Sequence, residues 1–393
     1  MALTVGIIGL PQSGKTSLFN ALTRAGAQIS GYPTSTVQAN KAVVEVPDER
    51  LAVLADIFQP KKVTHATVEF ADVAGIGQAS EAEKRQGLSA EFLGHIRNAD
   101  ALAVVVRCFE SAQVPHALGG VNAEAEMAEL DSELALTDLA SLERRIERTT
   151  KQAKSGDKKY QAELEVLRQM QLALNDGKLA RELALSAQDE AIVRELFLLT
   201  MKPQLYIANV GEEQLGQAAT LLAEIAEGKL SDEAALDQPN VELRSVAQVG
   251  LRARAQHAEA VAVSAKLEAE LSELAEDEAA EYLESLGLPR LGADRVVQAG
   301  YRLLNLLSFL TAGEDEVRAW TITRGTKAPQ AAGKVHSDME RGFIRAEVVH
   351  YQDMVMCRSL AIARERGLFR LEGKEYVVQD GDVIEFRFNV TKS

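Results

Sequence analysis

The sequence is short of several things at once. Its 393 residues hold two cysteines, one tryptophan and nine prolines, and aromatics make up 5% of it. Cys108 and Cys357 stand far apart, cannot form a zinc site of the usual kind and suggest no disulfide framework. A reduced, intracellular compartment is the expectation. Positive charge is also scarce, with 43 Lys/Arg against 58 Asp/Glu and a formal net charge of −15. That balance excludes a protein that coats nucleic acid over most of its surface. No stretch approaches the roughly 20 apolar residues needed to cross a bilayer. The opening MALTVGIIGL carries no basic leader and reads as a first strand rather than a signal peptide. The expectation is a soluble, cytoplasmic chain with neither membrane nor DNA as a partner. What is present is ordinary globular material, 46% hydrophobic and 26% charged. This length exceeds one hydrophobic core, so two or three domains are expected.

Short β-branched runs alternate with helical patterns. Residues 4–9 (TVGIIG), 101–107 (ALAVVVR), 204–209 (QLYIAN) and 260–264 (AVAVS) read as buried parallel strands, apolar on both faces. A shorter one, 68–71 (VEFA), runs into Asp72. The fold class is therefore α/β with a mostly parallel sheet. The rhythm breaks between about 129 and 200. There Leu134, Leu139, Leu142 and Ile146 fall at helical spacing, a polar Ser155-Gly156-Asp157 break follows, and Leu164, Leu167 and Leu174 resume the pattern. This predicts a helical hairpin. Residues 144–159 carry seven basic residues against two acidic ones, as a solvated tip or as an RNA-contacting one. From about 305 onward, alternating runs and glycine turns around the lone Trp320 predict a small sheet-rich domain. The acidity concentrates elsewhere: residues 268–284 hold eight acidic and no basic residues, most simply a solvated helix face.

Gly9-Leu10-Pro11-Gln12-Ser13-Gly14-Lys15-Thr16 is a full G-x4-G-K-[ST] match, preceded by a strand and followed by a helix. Gly9 and Gly14 let backbone N–H groups curl around phosphate oxygens, and the helix N-terminus faces them with partial positive charge. Lys15 would reach the β- and γ-phosphates and the Thr16 hydroxyl would bind Mg²⁺. Pro11, Gln12 and Ser13 complete the loop, and Ser17 follows it. Asp72-Val73-Ala74-Gly75 comes after the next apolar strand. There an Asp can hold Mg²⁺ through water while the Gly75 amide approaches the γ-phosphate. Thr36 lies between the two motifs, where switch loops place a threonine on the metal. Asn209-Val210-Gly211-Glu212 and Ser264-Ala265-Lys266 each follow a strand and would form a base pocket. GTPases have Asn-Lys-x-Asp at the first of these. Val210 and Glu212 remove the lysine and displace the carboxylate, which argues against strict guanine recognition.

These blocks, with YPTST, AEFLGHIRNADALAVVVRCFE, ELALTDL, KPQLYIANVGE, SAKLEAEL, EVRAWTITRGTKAP, VHSDMERGFIRAEV and LEGKEYVVQDGDVIEFRFNV, resemble the YchF/Obg-like ATPase family of P-loop proteins over nearly the whole chain. The resemblance implies an Obg-type nucleotide domain from 1–130 and 201–304, a coiled-coil insertion at 131–200, and a TGS domain of β-grasp fold at 305–393. It also implies slow, Mg²⁺-dependent hydrolysis of ATP in preference to GTP, and association with ribosomes, the large subunit included. By the same resemblance Gly9, Gly14, Lys15 and Thr16 form the phosphate loop. Thr36 is the switch-one metal ligand, Asp72 and Gly75 belong to switch two, and Asn209 and Glu212 are the family's Asn-x-x-Glu.

Ile76 follows Gly75 where Ras-like enzymes place a catalytic Gln. His116 falls where the family has a histidine proposed to orient the attacking water; a surface loop histidine is the alternative. Two departures stand out. The family's usual Asn-Val is Gln12-Ser13 here, which weakens the expectation of a monovalent cation beside Mg²⁺. The glycine-rich run after DVAG is GQASEAEKRQGLS, with fewer glycines and more charge. A nucleotide-dependent ribosome-binding module with negligible catalysis, and an ordinary GTP-preferring switch, remain the alternatives.

Overall fold

The computed structural model describes residues 3–24, 28–29, 40–72, 96–154, 156–271, 274–288 and 290–389. The chain divides into two compact units, Met1–Val43 with Glu69–Ala299, and Val44–Val68 with Gly300–Ser393.

Among the described residues, eight strands precede residue 300 in chain order: β1 (Thr4–Ile8), β2 (Gln28–Ile29), β3 (Asn40–Glu45), β4 (Lys62–Thr64), β5 (Thr67–Asp72), β6 (Ala101–Arg107), β7 (Gln204–Asn209) and β8 (Glu259–Val263). All but β4 form one seven-stranded sheet in the order β2-β3-β5-β1-β6-β7-β8. From β5 to β8 every pairing is parallel. The five apolar runs read from the sequence are these five strands, within a residue or so at each end. Every residue of β1, β6 and β7 is buried, as a sheet covered on both faces requires. Strand residues such as Val104, Val106 and Tyr206 share one core with Leu222 and Ile225 of helix Leu215–Ala226 and with Val246 and Val249 of helix Val241–Ala255. The parallel register aligns the strand ends: Ile7 lies opposite Asp72, Ile8 opposite Val104, and Arg107 and Val263 on either side of Asn209. The loops that carry chemistry in this architecture therefore leave from one edge.

The first helix, α1 (Lys15–Arg24), follows β1, and α2 (Glu49–Phe58) lies between β3 and β4. The predicted hairpin consists of α3 (Ala123–Ala153), 31 residues long, and α4 (Lys158–Asn175). Helix α3 begins eight positions before the expected 131, because Asn122 caps it by accepting from the Ala125 amide at 3.1 Å. The reversal uses Gly156 at φ 81° and the Asp157 cap on the Lys159 amide. Leu142, Leu167, Met170, Leu174 and Val193 form a separate core within the insertion. Buried Asp138 on α3 accepts from the Leu199 amide (2.9 Å), the Thr200 amide (2.8 Å) and the Thr200 hydroxyl (2.6 Å), fastening the helix to the turn that leads back into β7. At the hairpin tip Arg145 pairs with Glu163 at 2.7 Å, while Arg144, Arg148, Lys151, Lys154, Lys158 and Lys159 are exposed.

The second unit adds β9 (Leu306–Ala312), β10 (Glu316–Thr323), β11 (Phe343–His350), β12 (Arg370–Glu372) and β13 (Asp382–Phe388). Its six strands run in the order β12-β11-β13-β9-β10-β4. Parallel β13 and β9 at the centre, an antiparallel neighbour on either side and helix Ala328–Val335 between β10 and β11 make this a β-grasp. Trp320 stacks on Phe309, which meets Phe386 edge-to-face at 5.7 Å. Residues 44–68 fall within the stretch expected to be nucleotide domain, yet belong to this unit. Strand β4 extends the sheet alongside β10, and Arg50 bridges Asp48 and Asp380. The acidic run also departs from a simple solvated face. Glu268 is 3% exposed and its carboxylate caps helix Gly292–Leu303 through the amides of Gly292 and Ala293.

Candidate nucleotide site

The loop after β1 has two left-handed residues, Gln12 at φ 64° and Gly14 at φ 98°. A Cβ on Gly14 would lie 2.1 Å from Asn209 Nδ2, and one on Gly9 would lie 2.5 Å from the Val105 carbonyl oxygen and 2.7 Å from Ser13 Oγ. Both motif glycines are thus required by space, and Gly14 by conformation as well. Lys15 starts α1 and is buried; its ammonium donates to the carbonyls of Gly9 (3.0 Å) and Leu10 (2.7 Å). Burial lowers its pKa to about 8, although Asp72 and Glu126 pull the other way. A buried ammonium whose hydrogen-bond partners are neutral carbonyls is poised for an anion.

The Thr16 hydroxyl donates to Asp72 Oδ2 at 3.3 Å, so β5 and α1 bring two oxygen donors together. The second carboxylate oxygen, Asp72 Oδ1, is buried without a partner, as is the Ser13 hydroxyl. Burial raises the Asp72 pKa, opposed by the Thr16 hydrogen bond and by Lys15. An all-oxygen pair with one orphaned carboxylate oxygen fits Mg²⁺, which takes few protein ligands and keeps water and phosphate oxygens. Thr36, Gly75 and Ile76 lie outside the described residues.

On the other side, Asn209 at the end of β7 is 4% exposed and works as a clamp. Its amide donates to the Ser13 carbonyl at 2.8 Å, and its Oδ1 accepts from the Ala265 amide at 3.0 Å. The phosphate loop and the 264–265 turn are thereby locked to one side chain. Val210 turns into the main core and its amide donates to Val263. Glu212, at the first position of a short 3-10 turn, accepts from the Tyr282 hydroxyl. Ser264 is buried, its carbonyl accepting from the Glu268 amide at 2.9 Å, whereas Thr16 and Ser17 are exposed.

His116 sits in the loop between β6 and α3 with its side chain 6% exposed. Arg107, at the end of β6, donates to the carbonyls of Phe109, Val114 and Pro115 and folds this loop back on the strand. Glu126, in the first turn of α3, is 1% exposed and accepts the Arg107 amide on Oε2 at 3.1 Å. Its Oε1 lies 2.7 Å from His116 Nε2, a close contact off the line of an ideal hydrogen bond. Burial lifts the Glu126 pKa to about 7 and lowers that of His116, whose imidazolium the neighbouring Arg107 further disfavours. The sequence singles out His116 as a candidate but not Arg107 and Glu126, which the fold brings beside it. The signal for Glu126 was an acidic residue in a helical first turn shortly after the loop, a common pattern that acquires meaning only once the loop folds back.

Two family models match the chain: one described as a 50S ribosome-binding GTPase over residues 4–143, and the YchF GTPase C-terminal model, described as a protein of unknown function, over 306–389. The ribosome-binding ATPase YchF of Bacillus subtilis is 44% identical over 390 residues, covering 99% of this chain and 100% of that one. The Escherichia coli O157:H7 protein of the same name is 42% identical with the same coverage. Among solved structures, that of the Schizosaccharomyces pombe YchF GTPase matches with a TM-score of 0.79 at 29% identity, covering 98% of each chain.

Proposed function

Since the chain belongs to the YchF family, we propose that it binds and slowly hydrolyses ATP and acts as a ribosome-associated switch in the cytoplasm. The observation that carries this reading is the phosphate loop itself. Its lysine is buried against carbonyls, its glycines are required by space, and Asn209 clamps it to the base-side turn.

Lys15 would neutralise charge developing on the β–γ bridge, and backbone amides from 9–16 would hold the phosphates. Thr16 and Asp72 would hold Mg²⁺, which when bound neutralises the β- and γ-oxygens; Thr36 is the proposed third ligand. His116 is the proposed water-orienting residue, and the loops at Thr36 and Gly75 the proposed switch elements. Pro11, Gln12, Ser13 and Ser17 line the nucleotide. Gln12 replaces the family's Asn at the monovalent-cation position, so turnover in potassium against sodium salts reports whether that function survives.

ATP rather than strict guanine recognition is supported by the base side. Val210 packs into the core instead of supplying a lysine over the base, and the Glu212 carboxylate is engaged by Tyr282. Ribosome association is supported by the names of the relatives and by the exposed basic residues at the hairpin tip. The proposed division of labour is nucleotide domain 1–130 with 201–304, save residues 44–68, which belong to the second unit, ribosome-facing insertion 131–200, and TGS domain 305–393. No described helix is long and apolar enough to cross a membrane.

The test is equilibrium binding of labelled ATP and GTP, side by side with Mg²⁺. Preference for ATP is the expected result, and preference for GTP would return the chain to the ordinary switch GTPases. Lys15→Ala should abolish binding or turnover; a fully active variant refutes the site. Ribosome co-sedimentation should be ATP-dependent and weaken steeply with salt. A second reading, a binding module with negligible catalysis, draws on the burial of the His116 side chain against Glu126. Single-turnover assays with and without ribosomes separate the two.

A further inference from the structure

We propose that Glu126 withholds His116 from the nucleotide in the resting protein, so that the first helix of the insertion governs the hydrolytic histidine. The inference rests on the reading of His116 as the water-orienting residue and adds to it a positioning residue and a route of control.

The geometry closes His116 in on both sides of its ring. Nδ1 accepts from the Leu118 amide at 3.1 Å, which makes Nε2 the protonated nitrogen, and Nε2 faces Glu126 Oε1 at 2.7 Å. With Nδ1 accepting from Leu118, Nε2 closed off against the Glu126 carboxylate and the side chain 6% exposed, the ring cannot orient a water while this arrangement lasts. The loop is not free to relieve the contact by drifting. Arg107 holds the carbonyls of Val114 and Pro115, directly before the histidine, at 2.9 and 3.1 Å. Glu126 is itself fixed, because its other oxygen accepts the Arg107 amide.

Two features make the contact releasable. Glu126 and Lys15 lie within electrostatic reach of each other, each favouring the other's charged form. Arriving phosphates would claim Lys15 and bring negative charge towards Glu126, weakening the carboxylate's hold on its present site. The second feature is mechanical. Glu126 is in the first turn of a 31-residue helix whose far end is the basic tip, and at 1.5 Å per residue such a helix spans about 45 Å. A partner that grips the tip and tilts the helix would draw Glu126 away from His116.

The experiment is Glu126→Gln, alone and combined with His116→Ala, in the full chain without ribosomes. Gln keeps an oxygen for the Arg107 amide but removes the carboxylate charge beside His116. The expected result is basal ATP turnover raised about tenfold, KM for ATP within twofold of the parent, and no increase in the His116→Ala background. Diethylpyrocarbonate modification of His116, followed by peptide mass spectrometry, should be slow in the parent and at least fivefold faster in Glu126→Gln. Glu126→Asp, one methylene shorter, should move both readouts in the same direction by less, and serves if the Gln variant does not fold. Turnover unchanged or lowered in Glu126→Gln, with His116→Ala still impaired, would overturn the withholding role and leave the ATPase reading intact. Normal turnover in His116→Ala would overturn the premise itself. Unchanged modification rates would overturn the latch whatever the kinetics.

Discussion

Asn209→Ala tests whether one side chain holds the nucleotide site together. In the native protein its amide and carbonyl satisfy the Ser13 carbonyl and the Ala265 amide, and Ser13 and Ala265 are 0% and 2% exposed. Truncation leaves an acceptor and a donor buried without partners, at about 1–3 kcal/mol each. Water entering the space vacated by the side chain recovers part of that, so a local cost of about 3 kcal/mol is expected. If about 2 kcal/mol of it appears as loop disorder that bound ATP must reverse, affinity falls about 30-fold. Titration with a fluorescent ATP analogue gives the affinity, and hydrogen exchange of residues 9–16 gives the loop's local stability. Asn209→Asp is the sharper control. It keeps the acceptor for Ala265 but turns a carboxylate on the Ser13 carbonyl and towards the phosphates, so it should bind ATP more weakly than Asn209→Ala. An alanine variant within threefold of the parent, with unchanged exchange at 9–16, would refute the clamp; so would an aspartate variant that binds better than the alanine one.

Gly14→Ala combines φ 98° with a Cβ 2.1 Å from Asn209 Nδ2 and should lose nucleotide binding while the second unit keeps its thermal transition; calorimetry with and without ATP distinguishes the two. Lys15, with a pKa near 8 in the free protein, is largely neutral at pH 8.5–9, and phosphate binding favours its charged form. ATP binding there should take up most of one proton, seen as buffer-dependent enthalpy in isothermal titration, and little at pH 6.5 where the lysine is already charged; buffer independence at pH 9 contradicts the burial argument. Asp138→Ala strips three hydrogen bonds from residues 199–200 and should cost about 3 kcal/mol, read as faster proteolysis within 131–200.

Much of the first unit was legible because parallel strands are buried on both faces and so appear as continuous apolar runs, as 101–107 and 204–209 do. The hairpin was legible from leucine spacing and from Gly156, which the structure places at φ 81°. Other features had no local signal. The placement of 44–68 depends on β4 pairing with β10 across some 250 positions of sequence. Strands β2 and β3 form only an antiparallel edge, too short and too mixed to stand out from the loops around them. Glu268 resembled its acidic neighbours until the start of the helix at Gly292 came within reach of its carboxylate.

The sequence by itself determined the phosphate chemistry. A strand, two spaced glycines, a lysine and a hydroxyl act through backbone curvature and a helix terminus, and these are properties of contiguous residues. Only the tertiary structure decided how that loop is held and which groups surround His116. Asn209 reaches Ser13 across 196 positions of sequence, and Glu126 closes on His116 because Arg107 folds the intervening loop onto the end of its own strand. Buried hydrogen bonds between distant segments take their strength from desolvation, and desolvation exists only once the sheet has brought the strand ends together.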